Sequence, residues 1–424
     1  MPARLTPPLS EREGLDLLFA PVAERKALAL AVSGGADSLA LMLCAHRWAE
    51  GLDTPPRLFV YSVDHGLRPE AAGEVQFVLG EAEKLGLAAR GLTWQGERPV
   101  AGIQEAARAA RYRLMGAAMA QDGAEVLLTA HHLKDQAETV LMRLAHGSGI
   151  EGLKGMEPLS SVEGVPVFRP FLKTDPDDLA TLVAEAGLTP VVDPSNTDEQ
   201  YERVRWRHML PELAKLGLDA TTLSRFATRI GEADKALAEI AGAAFEGLVT
   251  FDGFGAARIE RVAYRSLSPA IAVRVLARVL NIVGARQKPR ALGLVERLHE
   301  KLLEPGIVKN TTVLGCVTRA DDEAITVARE PGRETPADRS VAPNSELIWD
   351  ARFLIRNASG QEGFTAGVAD YLPRHKLQEF LGFKVTAPAE AIRTAPIVRD
   401  DAGTVLALGG WSFDERISVE LLID

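Results

Sequence analysis

Short apolar runs alternate with helical patterns of apolar residues over the first 145 residues of the chain. The apolar runs, each of a length typical of buried strands, lie at residues 27–32, 58–63, 87–94 and 125–130. The helical patterns lie at residues 38–50, 69–85, 104–120 and 134–145. This alternation predicts βαβ units and therefore a parallel sheet with helices on both faces. Ligands of such sheets bind at the carboxyl ends of the strands.

The pattern changes after residue 217. Helical patterns cover residues 221–247 and 269–303, and the second has Ser268 as its cap and Pro269 at its first helical position. A weaker pair of strands is predicted within residues 311–327. The stretch 330–346 is rich in proline, serine and charged residues, which is typical of a linker.

These patterns predict an α/β protein with several domains, and the length of 424 residues allows two to four at roughly 100–200 residues each. We expect a Rossmann-like parallel sheet in residues 1–217 and a mainly helical domain in residues 218–330. A linker at 331–346 and a small α/β domain at 347–424 complete the prediction. Hydrophobic residues make up 46% of the chain, which is enough to form buried cores.

Cysteine content and the amino-terminal segment indicate a cytoplasmic protein. The chain has only two cysteines, Cys44 and Cys316, so no disulfide framework or zinc-finger spacing is expected. The first 20 residues lack the apolar region of a signal peptide. No apolar run approaches the roughly 18 residues that a membrane-spanning helix needs, so no membrane association is expected.

The net charge of −10 argues against a protein that coats nucleic acid nonspecifically, but the basic residues are unevenly spread. One basic stretch contains Arg203, Arg205, Arg207, Lys215, Arg225 and Arg229. A second contains Arg274, Arg278, Arg286, Lys288, Arg290, Arg297 and Lys301. Either stretch can bind a polyanion at one chosen face. Solvated charged faces of two helices explain the same residues, and composition alone favours that explanation.

The motif AVSGGADS at residues 31–38 lies between a predicted strand and a predicted helix. Glycines let backbone N–H groups approach an anion, and a helix N-terminus adds unpaired N–H groups and a positive dipole end. The residues expected to hold phosphates are Ser33, Gly34, Gly35, Ala36, Asp37 and Ser38. A phosphate repels the carboxylate of Asp37, which therefore predicts a Mg²⁺ ion shared with the phosphates. The alternative is an ordinary glycine turn with Asp37 and Ser38 as helix caps.

Other motifs follow the predicted strands and can meet at the same edge of the sheet. VDHGLR at residues 63–68 closes the second strand with Asp64 and His65. HHLKDQAET at residues 131–139 places Asp135 and Glu138 one helical turn apart, so both carboxylates can lie in one pocket. Paired carboxylates can bind an ammonium group and accept its proton. The spacing does not match a zinc site, and GSGIEG at residues 147–152 follows a helix, which argues against a dinucleotide fingerprint.

The predicted helix at residues 104–120 contains QEAARAARY, in which Glu105, Arg108 and Tyr112 share one face. Taken alone, this pattern is also typical of a surface helix with salt bridges. RPFL at residues 169–172 and DPSN at residues 193–196 come next, and DPSN is ordinary turn chemistry.

The SGGxDS loop resembles that of the PP-loop ATP pyrophosphatases. The order of the motifs, ending with the arginine run at residues 203–207, resembles the tRNA(Ile)-lysidine synthetase family over about residues 27–211. The family's arginine run usually reads R-N-x-I-R, whereas this chain has Val204 and Trp206 at the Asn and Ile positions. Beyond residue 211 only the layout and scattered residues, such as Arg393 and Pro396, fit the family.

The resemblance implies an enzyme that uses ATP and Mg²⁺ to attach L-lysine to the wobble cytidine of a tRNA(Ile) with a CAU anticodon. Cytosine O2 attacks the α-phosphate of ATP, pyrophosphate leaves, and the lysine ε-amine then displaces AMP from C2. The target base has to leave its stack to enter the pocket. The helical and C-terminal domains hold the tRNA. The oligomeric state stays open, with a homodimer as one option.

The resemblance also implies roles for individual residues. The expected catalytic residues are Asp37, Arg108, His132, Asp135 and Glu138. Asp64 joins the phosphate loop in nucleotide binding, and Asp37 holds the Mg²⁺ ion. The expected RNA-binding residues are Arg203, Arg205, Arg207, Arg274 and Arg278. Asp135 is assigned to binding lysine. Glu138 is assigned to the side of the cytosine base or to accepting a proton.

Three other functions compete with this interpretation. A PP-loop sulfur transferase generally needs a persulfide cysteine or an iron–sulfur cluster, whereas Cys44 and Cys316 both lie in apolar, core-like surroundings. An ammonia-fed amide synthetase would need a glutaminase segment, and none is visible. A catalytically silent RNA-binding protein would not need the acidic residues at the strand ends, and ATP consumption distinguishes it from an enzyme.

Overall fold

The computed structural model describes residues 9–66, 70–95, 102–191, 198–285, 292–332, 337–369 and 373–423. The chain forms two compact units, Met1–Asp234 and Lys235–Asp424. The division between them lies within a single long helix, α9 (Ala220–Leu248). Within the described residues, no helix combines the length and apolarity needed to cross a membrane.

The first unit is built on a six-stranded sheet. Its strands are β1 (Ala27–Ala31), β2 (Arg57–Asp64), β3 (Ala88–Thr93), β4 (Val126–Leu128), β5 (Leu159–Val162) and β6 (Val165–Phe168). They are arranged in the order β3-β2-β1-β4-β6-β5, and every pair is parallel except β5 with β6. The predicted Rossmann-like parallel sheet is confirmed.

Within the described residues of this unit, eight α-helices accompany the sheet, together with the first part of α9. They are α1 (Arg12–Phe19), α2 (Ala36–Glu50), α3 (Ala71–Lys84), α4 (Ile103–Asp122), α5 (Leu133–Ala145), α6 (Ile150–Leu153), α7 (Pro176–Glu185) and α8 (Glu202–Lys215). The central strand β1 is apolar throughout because both of its faces are covered. Leu28 and Leu30 pack into the core that contains α2 and α7, whereas Ala29 packs against Tyr112 and Met115 of α4.

The second unit contains three antiparallel sheets. The strands are β7 (Val249–Phe251), β8 (Ala257–Glu260), β9 (Val308–Val313), β10 (Cys316–Ala320), β11 (Ala324–Arg329), β12 (Arg339–Val341), β13 (Ser345–Trp349), β14 (Phe353–Asn357), β15 (Phe364–Val368), β16 (Pro396–Arg399), β17 (Val405–Leu408), β18 (Trp411–Ser412) and β19 (Ile417–Leu421). The sheet orders are β7-β8-β11-β10-β9, β12-β15-β16-β17-β18 and β13-β14-β19. The helices are α10 (Arg261–Ser266), α11 (Pro269–Val283), α12 (Leu292–Leu303), α13 (Arg374–Leu381) and α14 (Ala389–Thr394).

The second unit departs from the sequence-based expectation in three places. The single helix predicted at residues 269–303 is wrong, because α11 ends at a glycine cap, Gly284, and α12 begins at Leu292. The middle region is helical but also carries a five-stranded sheet where only a strand pair was expected. The stretch predicted as a linker contains β12 and the start of β13, since its polar residues lie on exposed strand positions.

Candidate active site

The phosphate loop connects β1 to α2 and is folded by its own serines. The Ser38 hydroxyl oxygen accepts the Ser33 N–H at 3.1 Å and donates to the Gly35 carbonyl at 2.9 Å. Gly34 has a φ of +88°, and a Cβ at this position would lie 3.2 Å from Val191 Cγ2. The loop therefore needs glycine at residue 34 both for its left-handed conformation and for space.

The first turn of α2 offers an anion cradle. Gly35 is the N-cap, so the alternative in which Asp37 and Ser38 act as caps is wrong. The backbone N–H groups of Ala36, Asp37 and Ser38 belong to the first helical turn, where no intrahelical carbonyl is available to them. These N–H groups and the positive end of the helix dipole suit the phosphates of a nucleotide.

Asp37 lies in this first turn with its side chain partly exposed. Desolvation raises the pKa of Asp37 above its ordinary value, and the negative charge of Asp135 adds to this effect, while His132 and Arg207 oppose it. A divalent cation would favour the ionised carboxylate. Among the described residues, no group of three or more His, Cys, Asp or Glu side chains could hold a metal by itself. Mg²⁺ is commonly held by one or two carboxylates together with phosphate oxygens, and the position of Asp37 beside the cradle suits such coordination.

His132 and Asp135 start helix α5 as a reciprocal cap. The Asp135 N–H donates to His132 Nδ1 at 3.3 Å, and the His132 N–H donates to Asp135 Oδ2 at 3.0 Å. The remaining ring nitrogen of His132 lies 3.6 Å from Asp37 Oδ2 and 3.5 Å from Asp135 Oδ2. The histidine thus connects the phosphate loop to the acidic helix.

The Asp135 carboxylate is largely buried but is held in its ionised form. Burial alone would raise its pKa, but the charges of His132 and Arg203 and the hydrogen bond from the His132 N–H outweigh burial and leave the pKa below its ordinary value. Its Oδ1 atom lies 3.6 Å from an Arg203 nitrogen and 3.8 Å from an Arg207 nitrogen, both beyond hydrogen-bond distance. Both arginines therefore hold this oxygen less tightly than they hold the oxygens of Glu138.

Glu138 lies one turn further along α5 and is completely buried, with 0% side-chain exposure. Its two carboxylate oxygens accept from two arginines of α8, Arg203 Nε at 2.8 Å and Arg207 Nε at 2.7 Å. The Glu138 contact comes first among the causes that raise the pKa of Arg207. Because both oxygens of this carboxylate accept from guanidinium groups, the contacts favour a positioning role.

The arginines of α8 make two kinds of contact, one with the Glu138 carboxylate and one with backbone carbonyls. Arg203 and Arg207, four residues apart, both contact Glu138. Val204 is buried, and Trp206 packs beside the apolar cluster that α5 and α8 share, so the two departures from the family pattern lie away from these arginine contacts. Arg205 instead donates to the carbonyls at residues 199 and 200, at 2.9 and 3.0 Å.

The remaining predicted site residues make contacts of their own. The Arg108 guanidinium lies over the Tyr112 ring at 5.2 Å, and its charge acts on His131. Asp64 Oδ1 accepts the Gly66 N–H at 2.7 Å at the end of β2. Arg278 of the second unit lies over the Phe245 ring at 4.0 Å, and Arg274 is partly buried on the same helix.

Several motifs of the sequence analysis fall partly or wholly outside the described residues. They are Leu67 and Arg68 of VDHGLR, the DPSN turn, and three residues of the second basic stretch, Arg286, Lys288 and Arg290.

Two polar residues at the sheet edge were not assigned a role from the sequence. His131 Nδ1 and the Thr129 hydroxyl form a hydrogen bond of 2.9 Å. Arg169, at the end of β6, is buried and donates to the Glu157 carbonyl at 2.8 Å and to the Ser160 hydroxyl at 2.7 Å. Their positions directly after β4 and β6 were the available signal, because that is the ligand-binding edge of the sheet.

We expect His131 to make the fold sensitive to mild acid. Burial lowers its pKa to about 3 from an ordinary value of 6.5, and Arg169, Arg108 and Arg203 add to this effect against Asp135. Below pH 6.5 the unfolded chain binds a proton that the folded chain does not bind, so stability falls as the pH drops towards 3. The contribution has a limiting slope of about 1.4 kcal/mol per pH unit.

Urea unfolding of His131→Asn between pH 7.5 and 5 checks this expectation, since the variant should show a flatter pH dependence than the wild type. His208→Asn is the matched control, because His208 is exposed and forms a surface ion pair with Glu199. An unchanged slope for His131→Asn would show that His131 is not the responsible group.

Both cysteines are buried thiols. Burial raises the pKa of the Cys44 thiol to about 12. Cys316 lies in the core of the second unit with its thiol 3.4 Å from the Leu280 carbonyl oxygen. A buried thiol with a raised pKa is a poor nucleophile.

Comparisons with known proteins agree with this site. A family model described as a PP-loop domain matches residues 9–213. The tRNA(Ile)-lysidine synthase of Rhodopseudomonas palustris is 44% identical over 287 residues, which cover 67% of this chain and 82% of that protein. The protein of the same name from a Bradyrhizobium strain is 40% identical over 346 residues, covering 77% of this chain and 96% of the relative. The chain belongs to the tRNA(Ile)-lysidine synthase family.

Family membership confirms the resemblance indicated by the motifs and extends it along the chain. The tRNA(Ile)-lysidine synthase of Wolbachia from Brugia malayi is 32% identical over 389 residues, which cover 91% of this chain and 89% of that protein. The likeness therefore reaches well into the second unit, beyond the residues 27–211 that carry the specific motifs. The family assignment makes this chain an enzyme with an ATP-binding PP-loop domain.

Proposed function

We propose that this synthase ligates the ε-amine of L-lysine to C2 of the wobble cytidine in tRNA(Ile) with a CAU anticodon. The reaction consumes ATP and releases pyrophosphate and AMP, so the enzyme is a ligase that forms a carbon–nitrogen bond. The observation that carries the proposal is the connection from Asp37 through His132 to Asp135, with distances of 3.6 and 3.5 Å. It joins a nucleotide cradle to a carboxylate that suits an ammonium group.

In the first step, the phosphate loop holds the departing pyrophosphate. Cytosine O2 forms a bond to the α-phosphorus of ATP while the bond from that phosphorus to pyrophosphate breaks. The N–H groups at the start of α2 and the Ser33 hydroxyl suit the negative charge that gathers on the leaving group. Mg²⁺, held by Asp37 and shared with the phosphates, would neutralise part of that charge. The adenylated oxygen makes C2 susceptible to attack.

In the second step, Asp135 binds the lysine side chain. The ionised carboxylate attracts the ε-ammonium group, and its Oδ1 atom lies outside the capping contact that occupies Oδ2. The ε-ammonium group loses a proton to solvent water, and the resulting amine forms a bond to C2 while the bond from C2 to the adenylated oxygen breaks and AMP leaves. We assign binding of the ammonium group to Asp135 and, in contrast to the sequence-based expectation, assign no proton transfer to Glu138 because both of its oxygens accept from arginines.

Glu138 instead positions Arg203 and Arg207. Each arginine is partly exposed and has guanidinium nitrogens beyond those that contact Glu138. The pair forms a positive rim beside Asp37 and Asp135, which suits the phosphates of ATP or the anticodon backbone. Arg205 is exposed on the same helix and belongs to the proposed RNA-binding surface.

We further propose that the helical domain and the C-terminal domain hold the body of the tRNA. The partly buried Arg274 and Arg278 on α11 are the basic residues assigned to this contact. The relatives that carry the synthase name match this chain far beyond the PP-loop domain, which supports a shared substrate. A cytoplasmic location and the oligomeric state stay predictions.

Mass spectrometry of nucleosides tests the proposed function directly. The tRNA(Ile) with a CAU anticodon is incubated with the protein, ATP, Mg²⁺ and lysine, and its nucleosides are analysed. Lysidine formed in amounts equal to AMP supports the proposal. AMP formation without a lysine adduct, or a thiolated base in its place, would contradict it; the two buried thiols give sulfur transfer no support.

Asp135→Asn should impair the use of lysine more than the use of ATP. The substitution keeps the side-chain shape and removes one charge-assisted hydrogen bond, worth about 1.5–3 kcal/mol, or roughly ten- to a hundredfold in lysine affinity. Lysine dependence is measured by lysidine formation, and adenylation by pyrophosphate release with tRNA but without lysine. Asp135→Glu serves as the charge-retaining comparison. Blocked adenylation with unchanged lysine dependence would place Asp135 in the nucleotide site instead.

A further inference from the structure

Aromatic side chains gather on one exposed surface of the second unit. Phe380 and Phe413 pack edge to face with ring centroids 4.8 Å apart, and Phe383 and Trp411 are 5.6 Å apart. Phe380, Phe383 and Phe413 are 49%, 46% and 43% exposed, so each keeps much of its ring in solvent. We call these four residues the aromatic platform. Exposed apolar residues are ordinarily scattered singly, so four clustered rings indicate a binding surface.

The platform is held rigidly by the segment that follows α13. Arg374 donates to the Val385 carbonyl at 3.1 Å and to the Ala387 carbonyl at 2.7 Å. Gln378 accepts the Val385 N–H at 3.2 Å, and Gly382 ends the helix with a φ of +74°. These contacts fix the turn that presents Phe383, so little conformational entropy is lost when a ligand binds.

Trp411 is fixed from below by close backbone packing. A Cβ at Gly253 would lie 2.3 Å from the indole ring, so only glycine fits beneath Trp411. The Gly410 N–H donates to the Gly253 carbonyl at 2.7 Å, and Phe254 packs against the indole with centroids 4.9 Å apart. One face of the platform is thus part of the core, while the Phe rings stay accessible.

Positive charge lies on the α13 side of the platform, although the whole chain has a net charge of −10. Residues 373–385 contain Arg374, Lys376 and Lys384 against a single acid, Glu379, and Lys376 lines a cavity of about 410 Å³ beside Phe380. On the other side Asp414 is paired with Arg416 at 2.7 Å, which leaves Glu415 as the exposed acid next to Phe413. Exposed rings beside cationic side chains suit single-stranded nucleic acid, whose bases stack and whose phosphates are negative.

We propose that the aromatic platform stacks the unpaired nucleotides at the 3′ end of the tRNA. This inference rests on the proposed function, which makes tRNA the substrate. Unpaired bases are the parts of an RNA that aromatic side chains can bind by stacking. The anticodon loop is engaged by the first unit, and the D and T loops of a tRNA pack on each other, so the 3′ end is the single strand that is left. Lys376 and Lys384 pair with its phosphates.

Binding measurements with two tRNA substrates test the proposal. The affinity of wild type, Phe380→Ala, Phe383→Ala and the double variant is measured with intact tRNA(Ile) and with the same tRNA lacking its unpaired 3′ nucleotides. Because stacking of one base is worth a factor of about five to a hundred, each single variant should lose roughly tenfold on intact tRNA. On the shortened tRNA, wild type and variants should bind equally weakly.

Further variants separate stacking from other roles. Phe380→Leu keeps an apolar side chain but loses the aromatic face, so it should behave like Phe380→Ala. Ile348→Ala, at another exposed apolar position of the same unit, should bind intact tRNA like the wild type. Retained affinity in Phe380→Leu together with loss in Phe380→Ala would overturn the proposal in favour of apolar docking. A wild-type dimer that Phe380→Ala converts to a monomer would identify the surface as a contact between two copies.

Failure of this inference is distinct from failure of the proposed function. If wild type forms lysidine but platform variants bind intact tRNA with unchanged affinity, only the platform proposal is wrong. If wild type binds no tRNA and forms no lysidine, the substrate assignment is wrong, and the platform proposal is wrong with it.

Discussion

Asp37→Asn abolishes the release of AMP and pyrophosphate while the fold is retained; this is the largest effect we expect of any single substitution. The Asp37 side chain lies partly exposed in the first turn of α2. Its ion pair with His132 is long, at 3.6 Å, so the fold depends little on this side chain. Its loss removes the carboxylate proposed to hold Mg²⁺ against the phosphates. We expect turnover to fall at least a hundred- to a thousandfold, the range typical of losing one group that stabilises transition-state charge.

Measurement of AMP release with saturating ATP, tRNA and lysine checks this result, and circular dichroism verifies the fold. Asp177→Asn provides a matched control, because Asp177 also lies in the first turn of a helix of the same unit and makes a surface ion pair with Lys134. Near wild-type turnover by folded Asp37→Asn would show that Asp37 does not serve the nucleotide. If the free energy of unfolding falls far enough to explain the loss of turnover, Asp37 has a structural role instead.

Glu138→Ala is expected to lower stability and to abolish lysidine formation together. The buried carboxylate accepts from Arg203 at 2.8 Å and Arg207 at 2.7 Å, and both charge-assisted hydrogen bonds are lost with it. Breaking a buried ion pair costs about 3–5 kcal/mol, and we expect a value near 3 because the two arginines are partly exposed and can regain water. Without their anchor, Arg203 and Arg207 no longer keep fixed positions beside Asp37.

Urea unfolding and lysidine formation at a temperature well below the transition test this expectation. Glu202→Ala is the control, since Glu202 also pairs with two groups, His146 and Trp206, but on the partly exposed side of α8, so its loss should cost below about 1 kcal/mol. The double variant Arg203→Met, Arg207→Met tests the assigned cause. If it retains activity while Glu138→Ala does not, Glu138 itself takes part in the chemistry.

The first unit could be predicted largely because its signals are local. The apolar run that becomes β1, the glycines of the loop and the start of α2 are adjacent in sequence, so strand, turn and helix follow from one another. The cap formed by His132 and Asp135 also spans only a few residues. One-turn spacing correctly placed Asp135 and Glu138 on the same face of α5, and both contact the same arginines.

The partners of Glu138 could not be predicted, because they depend on contacts between distant parts of the chain. Arg203 and Arg207 lie 65 and 69 residues away in sequence, and only the packing of α8 on α5 brings them to the carboxylate. The sequence shows two carboxylates one helical turn apart, but it does not show that Glu138 is paired with two arginines. The antiparallel sheets of the second unit were missed for a related reason, since their short strands alternate buried and exposed positions and carry no long apolar run.

The reciprocal cap at the start of α5 also restricts where the His132 ring can carry a proton. In the neutral form of the ring, His132 Nδ1 accepts the Asp135 N–H, so the ring hydrogen of that form lies on Nε2. The hydrogen then points towards the carboxylates of Asp37 and Asp135. A proton on Nδ1 would remove the acceptor of this cap bond at the start of the helix that carries Asp135, so the charge of His132 and the cap are coupled. The position of the hydrogen on the His132 ring therefore affects both the start of α5 and the orientation of the Asp37 and Asp135 carboxylates.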